Sequence, residues 1–153
     1  MQIPQYHALL LEEIRATADC ARQLGLRLRA VYVGGGTPTT FSAEQLRSML
    51  ETVRASFDLS ACTEFTVEAG RPDTIDRDKL TALLESGVTR ISINPQTLQD
   101  NVLENIGRRH TAQQTVEAFR LAREVGFTNI NMDLIVGLPG DTYESFCDTI
   151  EQV

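Results

Sequence analysis

The chain has 153 residues, enough for one domain with a sizeable hydrophobic core, and its net charge is −7. No basic cluster is longer than Arg108–Arg109, which disfavours nucleic acid as a partner because such binding needs a basic stripe. No apolar run approaches a membrane span, and acidic residues at 12 and 13 interrupt the apolar run near the N-terminus, so we expect a cytoplasmic protein with no membrane partner.

Five helices are predicted from apolar residues at helical spacing and from residues suited to cap them. The first helix is expected to end at Gly25, since glycine suits a left-handed C-cap. A short helix is predicted at 76–86. The other three are expected to open at Ser42 with Gln45, Thr111 with Gln114, and Asp141 with Glu144.

Four strands are predicted between these helices, at 30–33, 64–69, 88–96 and 129–139. Because strands and helices alternate, right-handed crossovers and one parallel sheet are expected, which places the chain in the α/β class.

One face of this parallel sheet is expected to be polar. Parallel strands covered by helices on both faces are near-continuous apolar runs. Because buried polar groups need partners, the polar face predicts the lumen of a wide or open barrel that holds a polar ligand. The residues expected on it are Glu64, Thr66, Glu68, Arg90, Ser92, Asn94, Gln96, Asn129, Asn131 and Asp133.

Several polar or small residues are expected together at the carboxyl ends of the strands, where ligands bind in β/α barrels and open sheets. Glu68, Gln96 and Asp133 stand toward three of these ends, and Gly34–Thr37 follows the fourth. Each has a simpler interpretation: a tight turn for the glycines, a solvated carboxylate for Glu68 and a backbone cap for Gln96. Their common position favours a ligand site.

Three consecutive glycines in VYVGGGTPTTF predict an unusual dihedral angle or a close approach, because glycine loses much backbone entropy on folding. A phosphate-binding loop is excluded. No Gly-Lys-Ser/Thr follows, and Thr39 occupies the place of the third glycine in G-x-G-x-x-G.

Five segments in a fixed order resemble the radical S-adenosylmethionine (SAM) proteins of the oxygen-independent coproporphyrinogen III dehydrogenase group. They are VYVGGGTPT, EFTVEAGRPDT, GVTRISINPQTL, IGRRHT and GFTNINMDLIVGLPGDT. EAGRPDT and INPQT resemble the clostridial-type branch. The resemblance implies an incomplete (β/α)6 barrel, SAM and a [4Fe-4S] cluster, a tetrapyrrole substrate, an electron donor, and oxidative decarboxylation of propionate groups to vinyl groups in haem biosynthesis.

The resemblance also implies which residues hold SAM. Gly35 and Glu68 match positions that hold the catalytic SAM, and Gly34 belongs to the same loop, whose carbonyls would accept from the methionine ammonium group. Arg108 would pair with a carboxylate. Positions around a second SAM are matched by Gly36, Thr37, Gln96, Arg108 and Asp133.

The chain departs from the family at the cluster ligands, because it contains no C-x-x-x-C-x-x-C and its three cysteines are widely spaced. We interpret residues 1–153 as part of a radical SAM core, comprising about four strands, the second to the fifth, with flanking helices and both sheet edges open. The first strand with its cluster loop, the sixth strand and the C-terminal region are expected to be missing, and the chain alone is expected to be inactive.

Two further functions remain open beside the SAM-binding part of a dehydrogenase. A haem chaperone on the same scaffold would bind haem without dehydrogenase activity, although GRPD and INPQT favour the enzyme branch. An unrelated β/α barrel enzyme would bind phosphate esters and no SAM. Arg71, Arg109 and His110 are interpreted as loop, surface and turn residues without a ligand role.

Overall fold

Four parallel strands form one sheet in chain order in the computed structural model, which describes residues 2–153. Consecutive strands are hydrogen-bonded neighbours, so the first and the last are unpaired edges within these residues. The predicted open parallel sheet is confirmed. The strands are β1 (Ala30–Val33), β2 (Glu64–Gly70), β3 (Arg90–Ile93) and β4 (Ile130–Asn131).

One helix precedes the first strand, and the others connect the strands or follow the last of them. Within residues 2–153 they are α1 (Ile3–Gln23), α2 (Ala43–Ser56), α3 (Arg77–Glu85), α4 (Asp100–Asn105), α5 (Ala112–Val125) and α6 (Tyr143–Gln152). Helix α4 was not predicted, because its 6 residues are too few for a periodic signal and no side chain caps it. No helix in the described part of the chain combines the length and the apolar character needed to cross a bilayer.

The capping boxes predicted for α2 and α5 are confirmed, whereas the predicted start of α6 was wrong. Ser42 and Thr111 each accept a hydrogen bond from the backbone N–H three residues later. In α6 the N-cap is Thr142, whose hydroxyl accepts from the Ser145 N–H, and Asp141 lies outside the helix. Either threonine or aspartate can cap a helix, so sequence alone did not separate these adjacent positions.

A Ser42→Ala variant is expected to lower the free energy of unfolding by about 1 kcal/mol, since it removes the acceptor for the Gln45 N–H. Urea unfolding measures this change. Ser48→Ala is the matched control because Ser48 lies inside α2, where alanine is the better helix former. Equal stability of the Ser42→Ala variant and the wild type would contradict the capping role.

The third and fourth strands are shorter than predicted. β3 stops at Ile93 because Pro95 has no N–H to donate and Gln96 has φ +68°. β4 covers 2 residues, and one isolated bridge joins Gln96 to Leu134 beyond it. Because β4 is an edge strand that pairs only with β3, its regular hydrogen bonding stops where β3 bends away.

The hydrophobic core lies between the sheet and the helices. Alternate residues of β2 and β3 point into it, among them Val67, Ile91 and Ile93, each 0% exposed. Side chains of α2, α3 and α5 cover this face, including Leu50 and Leu83. The opposite face carries the intervening polar residues, so the predicted division of the sheet into an apolar and a polar face is correct.

Candidate functional site

A chain of hydrogen bonds crosses the polar face from β2 to the segment after β4. Asn131 Nδ2 donates to Asp133 Oδ1 at 2.7 Å and to Ser92 Oγ at 3.1 Å. Ser92 Oγ donates to Asn94 Oδ1 at 2.6 Å, and Asn94 Nδ2 donates to Glu68 Oε1 at 3.3 Å. We call these five residues the polar network. They bring together two carboxylates that are 65 positions apart in sequence.

Each end of the polar network is a carboxylate in which one oxygen accepts no hydrogen bond from the residues that the structure describes. The network bonds use Glu68 Oε1 and Asp133 Oδ1, and no hydrogen bond from residues 2–153 reaches Glu68 Oε2 or Asp133 Oδ2. Glu68 is half-buried and Asp133 is exposed, whereas Ser92 and Asn94 between them are buried. The arrangement offers hydrogen-bond acceptors to a ligand that carries ammonium or hydroxyl groups.

The register between β2 and β3 sets this spacing. Glu68 pairs with Ser92 and Gly70 pairs with Ile93, so Ala69 is an extra residue that forms a bulge. The bulge lies beside the predicted site, as bulges often do, and it ends regular pairing after Glu68.

The three glycines next to Glu68 serve two different purposes. A Cβ on Gly34 would overlap the ring of Tyr32 and lie 3.1 Å from Glu68 Oε2, so this position requires close approach. Gly35 and Gly36 have φ of +76° and +48°, in the left-handed region that glycine adopts readily, and nothing lies within 4 Å of a Cβ placed on either. The loop therefore presents exposed backbone beside a free carboxylate oxygen.

Thr39, which sequence analysis did not include in the site, holds this loop against the end of β2. Its Oγ1 donates to the carbonyl of Ala69 at 2.7 Å and lies 2.6 Å from Thr74 Oγ1, and the side chain is 1% exposed. A buried hydroxyl in the GGGTPT motif therefore joins the glycine loop to the carboxyl end of the next strand. Its place inside the motif was the signal that could have identified it.

Gln96 lies next to Asp133 through its backbone. Its N–H donates to the Asp133 carbonyl at 3.0 Å, and its own carbonyl accepts from Ile135 N–H at 2.9 Å. Its φ of +68° makes it the one non-glycine residue with positive φ among residues 2–153. Such strained positions are often found at functional sites.

Thr37 and Arg108 have different relations to the polar network. Thr37 begins the turn after the glycines, and its Cγ2 lies 3.5 Å from a Cβ placed on Gly70 at the end of β2. The half-buried side chain of Arg108 makes no hydrogen bond to any of residues 2–153. The glycine loop lies beside Glu68, and Gln96 lies beside Asp133, whereas no hydrogen bond joins Arg108 to any of these residues.

The amino end of the polar face is closed by its own contacts. Glu64 Oε1 accepts from Thr66 Oγ1 at 2.8 Å and from Arg90 Nη1 at 3.2 Å. These bonds, that from Thr66 first, hold the pKa of Glu64 below its ordinary value. Glu64 is thereby satisfied within the chain, in contrast to the free oxygen of Glu68.

The pKa of Tyr32 depends on the charges at the candidate site. Tyr32 is still 59% exposed, and partial desolvation of its phenol raises its pKa most. The carboxylates of Glu68 and Asp133 raise this pKa further, and Arg90 lowers it. A Glu68→Gln variant is therefore expected to lower the pKa of Tyr32 toward its ordinary value, with desolvation and Asp133 keeping part of the shift. Tyrosinate absorbance followed against pH measures it, and an unchanged Tyr32 titration would contradict the proximity of the two groups.

The residues present fit SAM but do not fit the iron–sulfur cluster. The exposed glycine backbone and the two free carboxylate oxygens are acceptors for the ammonium and ribose groups of SAM. Among residues 2–153 no group of histidine, cysteine and acidic side chains is arranged to hold a metal, and the three cysteines are free.

The parallel sheet has one apolar face covered by helices and one polar face that ends beside a glycine loop. This architecture defines a partial β/α barrel, with the candidate site at its carboxyl edge. The family model of the Radical SAM superfamily matches residues 1–153. The chain belongs to this superfamily, whose members use SAM and a [4Fe-4S] cluster.

Relatives within the superfamily have two kinds of name. The oxygen-independent coproporphyrinogen-III oxidase-like protein HemZ of Bacillus subtilis is 41% identical over 141 residues, which cover 92% of this chain and 28% of HemZ. The heme chaperone HemW of the same organism is 45% identical over 119 residues, covering 75% of this chain and 30% of HemW.

A solved structure agrees with this assignment. The coproporphyrinogen III oxidase HemN from Escherichia coli, a radical SAM enzyme, superposes with a TM-score of 0.83 at 28% identity, over 99% of this chain and 35% of HemN. The chain thus spans about a third of the length of these relatives.

Proposed function

We propose that this chain supplies the SAM-binding strands of a radical SAM protein that handles tetrapyrroles. The observation that carries the proposal is the pair of free carboxylate oxygens, Glu68 Oε2 and Asp133 Oδ2, at the two ends of one hydrogen-bonded network beside the open glycine loop. A cationic ligand with several donors suits this arrangement, and SAM carries an ammonium group, a sulfonium and a ribose diol.

The proposed roles follow from position at the carboxyl edge. Gly34 and Gly35 present backbone to the methionine end of the catalytic SAM, and Glu68 accepts from its ammonium group. Gly36 and Thr37 are assigned to a second SAM. Gln96 and Asp133 lie together on the other side of the polar network, where Asp133 accepts from a ribose hydroxyl or a second ammonium group. Arg108 is assigned to a carboxylate.

The tetrapyrrole part of the proposal rests on the relatives. HemN and HemZ are named for coproporphyrinogen III oxidation, and HemW is named as a heme chaperone. Both functions concern a tetrapyrrole, so oxidation of coproporphyrinogen III and haem delivery are two candidates for the whole protein. The cluster ligands and the remaining barrel strands are proposed to lie outside residues 1–153.

Titration calorimetry with SAM tests the first part of the proposal. The chain is expected to bind SAM and to bind S-adenosylhomocysteine more weakly, because the latter lacks the sulfonium charge. Ribose 5-phosphate is the control for a phosphate-binding barrel. Binding of the phosphate ester without binding of SAM would overturn the proposal.

Two measurements distinguish the candidate functions. Both use the full-length protein that the gene encodes, reconstituted anaerobically with iron and sulfide. Formation of a vinyl product from coproporphyrinogen III identifies the oxidase. Tight haem binding in a spectroscopic titration, without turnover of coproporphyrinogen III, identifies the chaperone. Neither result would exclude a tetrapyrrole role.

A further inference from the structure

A second group of charged and polar residues lies at the carboxyl edge of the sheet, apart from the polar network. Arg71 and Asp73 follow β2 directly, and Arg108 and His110 precede α5. We call these four residues the Arg71–His110 cluster. Sequence analysis assigned no ligand role to Arg71 or His110, yet His110 is 4% exposed.

The cluster contains two side-chain nitrogen atoms that have no hydrogen-bond partner among the described residues. Within residues 2–153 three buried side-chain polar atoms lack a hydrogen-bond partner, and two of them are His110 Nε2 and Arg71 Nε. Asp73 Oδ1 lies 3.4 Å from Arg71 Nε, close enough for an ion pair but without the geometry of a hydrogen bond. Native proteins rarely leave such atoms unpaired, and a bound ligand is one reason for the exception.

The charges around His110 favour an anion. Burial lowers the pKa of His110 most, and the positive charges of Arg108 and Arg71 lower it further, while the Pro95 backbone and Asp73 oppose them. Two arginines thus share one aspartate in a chain whose net charge is −7. A ligand anion would relieve the repulsion between these cations and a protonated imidazole.

We propose that Arg71 and His110 form a carboxylate-binding subsite, in which a ligand carboxylate replaces Asp73 beside Arg71 Nε. His110 Nε2 takes up a proton when the carboxylate binds and then donates a hydrogen bond to it. Carboxylates match the guanidinium group well because its N–H donors can bind both oxygens. The side chain of Arg71 is 43% exposed, so a ligand in solution can reach part of the guanidinium group.

The subsite is close to the glycine loop. Gly70 precedes Arg71, and a Cβ placed on it would lie 3.5 Å from Thr37 Cγ2. Thr74 Oγ1 donates to the Arg71 carbonyl at 2.9 Å, and the same oxygen lies 2.6 Å from Thr39 Oγ1. The carboxylate could therefore belong to the amino-acid end of SAM or to a propionate of a tetrapyrrole. Both sources rest on the proposed function.

Three pairs of probes distinguish the sources. SAM is compared with decarboxylated SAM by calorimetry, and coproporphyrin III is compared with its tetramethyl ester by fluorescence. Glutarate, compared with glutaramide, is the simple carboxylate probe and is followed by the ring resonances of His110 in NMR spectra. The other histidine of the chain, His7, is assigned with a His7→Gln variant.

Amino-acid variants test which residues bind the carboxylate probe. Arg71→Gln and His110→Phe are expected to weaken binding of the carboxylate probe about tenfold, the effect of losing one charge-assisted hydrogen bond. Arg109→Gln, which removes the same charge from the exposed neighbour of Arg108, is the matched control. Asp73→Asn is expected to tighten binding about threefold because it removes the competing carboxylate. Since Asp73 is exposed, this variant keeps the test decisive if the His110 variant does not fold.

The outcomes separate the subsite from the proposed function. If glutarate shifts the His110 resonances and SAM does not bind, the SAM assignment fails and the subsite stands. If SAM binds but no carboxylate probe perturbs His110, or if Asp73→Asn and Arg71→Gln bind like Arg109→Gln, the subsite is overturned. Equal binding of each probe and the partner compound that lacks its free carboxylate also overturns it.

Discussion

A Glu68→Gln variant is expected to bind SAM about 10- to 100-fold more weakly than the wild type, corresponding to about 1.5–3 kcal/mol for a hydrogen bond to a charged group. The free Oε2 of Glu68 is the proposed acceptor for the ammonium group. Glutamine keeps an oxygen that can accept from Asn94 Nδ2, so the polar network survives while the charge is lost. Titration calorimetry measures the affinity.

Glu64→Gln is the matched control for this variant. Glu64 lies on the same strand and face as Glu68, but at the amino end, where Thr66 and Arg90 satisfy it. The control removes the same charge from the same face and is expected to leave SAM affinity unchanged. Equal losses in the two variants would mean that only the overall charge of the face matters, which contradicts a specific contact at Glu68.

A Ser92→Ala variant is expected to lower the free energy of unfolding by about 1–3 kcal/mol, the cost of leaving a buried polar group unpaired. Ser92 is 2% exposed and links the two halves of the polar network, since it donates to Asn94 and accepts from Asn131. Removal of its hydroxyl leaves Asn94 Oδ1 without this donor. Urea unfolding measures the loss, and calorimetry is expected to show weaker SAM binding because Asn94 no longer holds Glu68.

Thr66→Val provides the comparison for Ser92→Ala. Thr66 is 0% exposed on the same face and donates to Glu64 at the closed amino end. Its replacement removes a buried hydroxyl and is expected to lower stability while leaving SAM affinity intact. If both variants lose affinity in proportion to stability, the polar network has no separate role in positioning Glu68.

Much of the fold could be predicted from sequence because its signals are local. The capping boxes at Ser42 and Thr111 depend on residues 3 positions apart, and the strand at 30–33 is bounded as predicted. The polar face was also predictable, since side chains alternate along a strand. Helix α4 was not predictable because its 6 residues are too few for a periodic signal. The early end of β4 was not predictable because it depends on where β3 bends away.

The candidate site was predictable as a set of positions and not as a set of contacts. Glu68 and Asp133 were expected at one edge because parallel strands place their carboxyl ends together. That Ser92, Asn94 and Asn131 connect them, and that Thr39 holds the glycine loop, required the observed hydrogen bonds. The burial of His110 could not be predicted from the sequence, because a histidine before a helix cap can be either exposed or buried.

By itself, the amino-acid sequence determined the alternation of helices and strands, the polar side of the sheet and the edge at which the candidate site lies. These features follow from periodicity, capping and strand direction, each of which acts over a few neighbouring residues. Tertiary structure alone decided which oxygens of Glu68 and Asp133 are free and which nitrogen atoms in the Arg71–His110 cluster lack partners. Those properties depend on strand register, the bulge at Ala69 and the positive φ of Gln96, which arise when distant segments pack together.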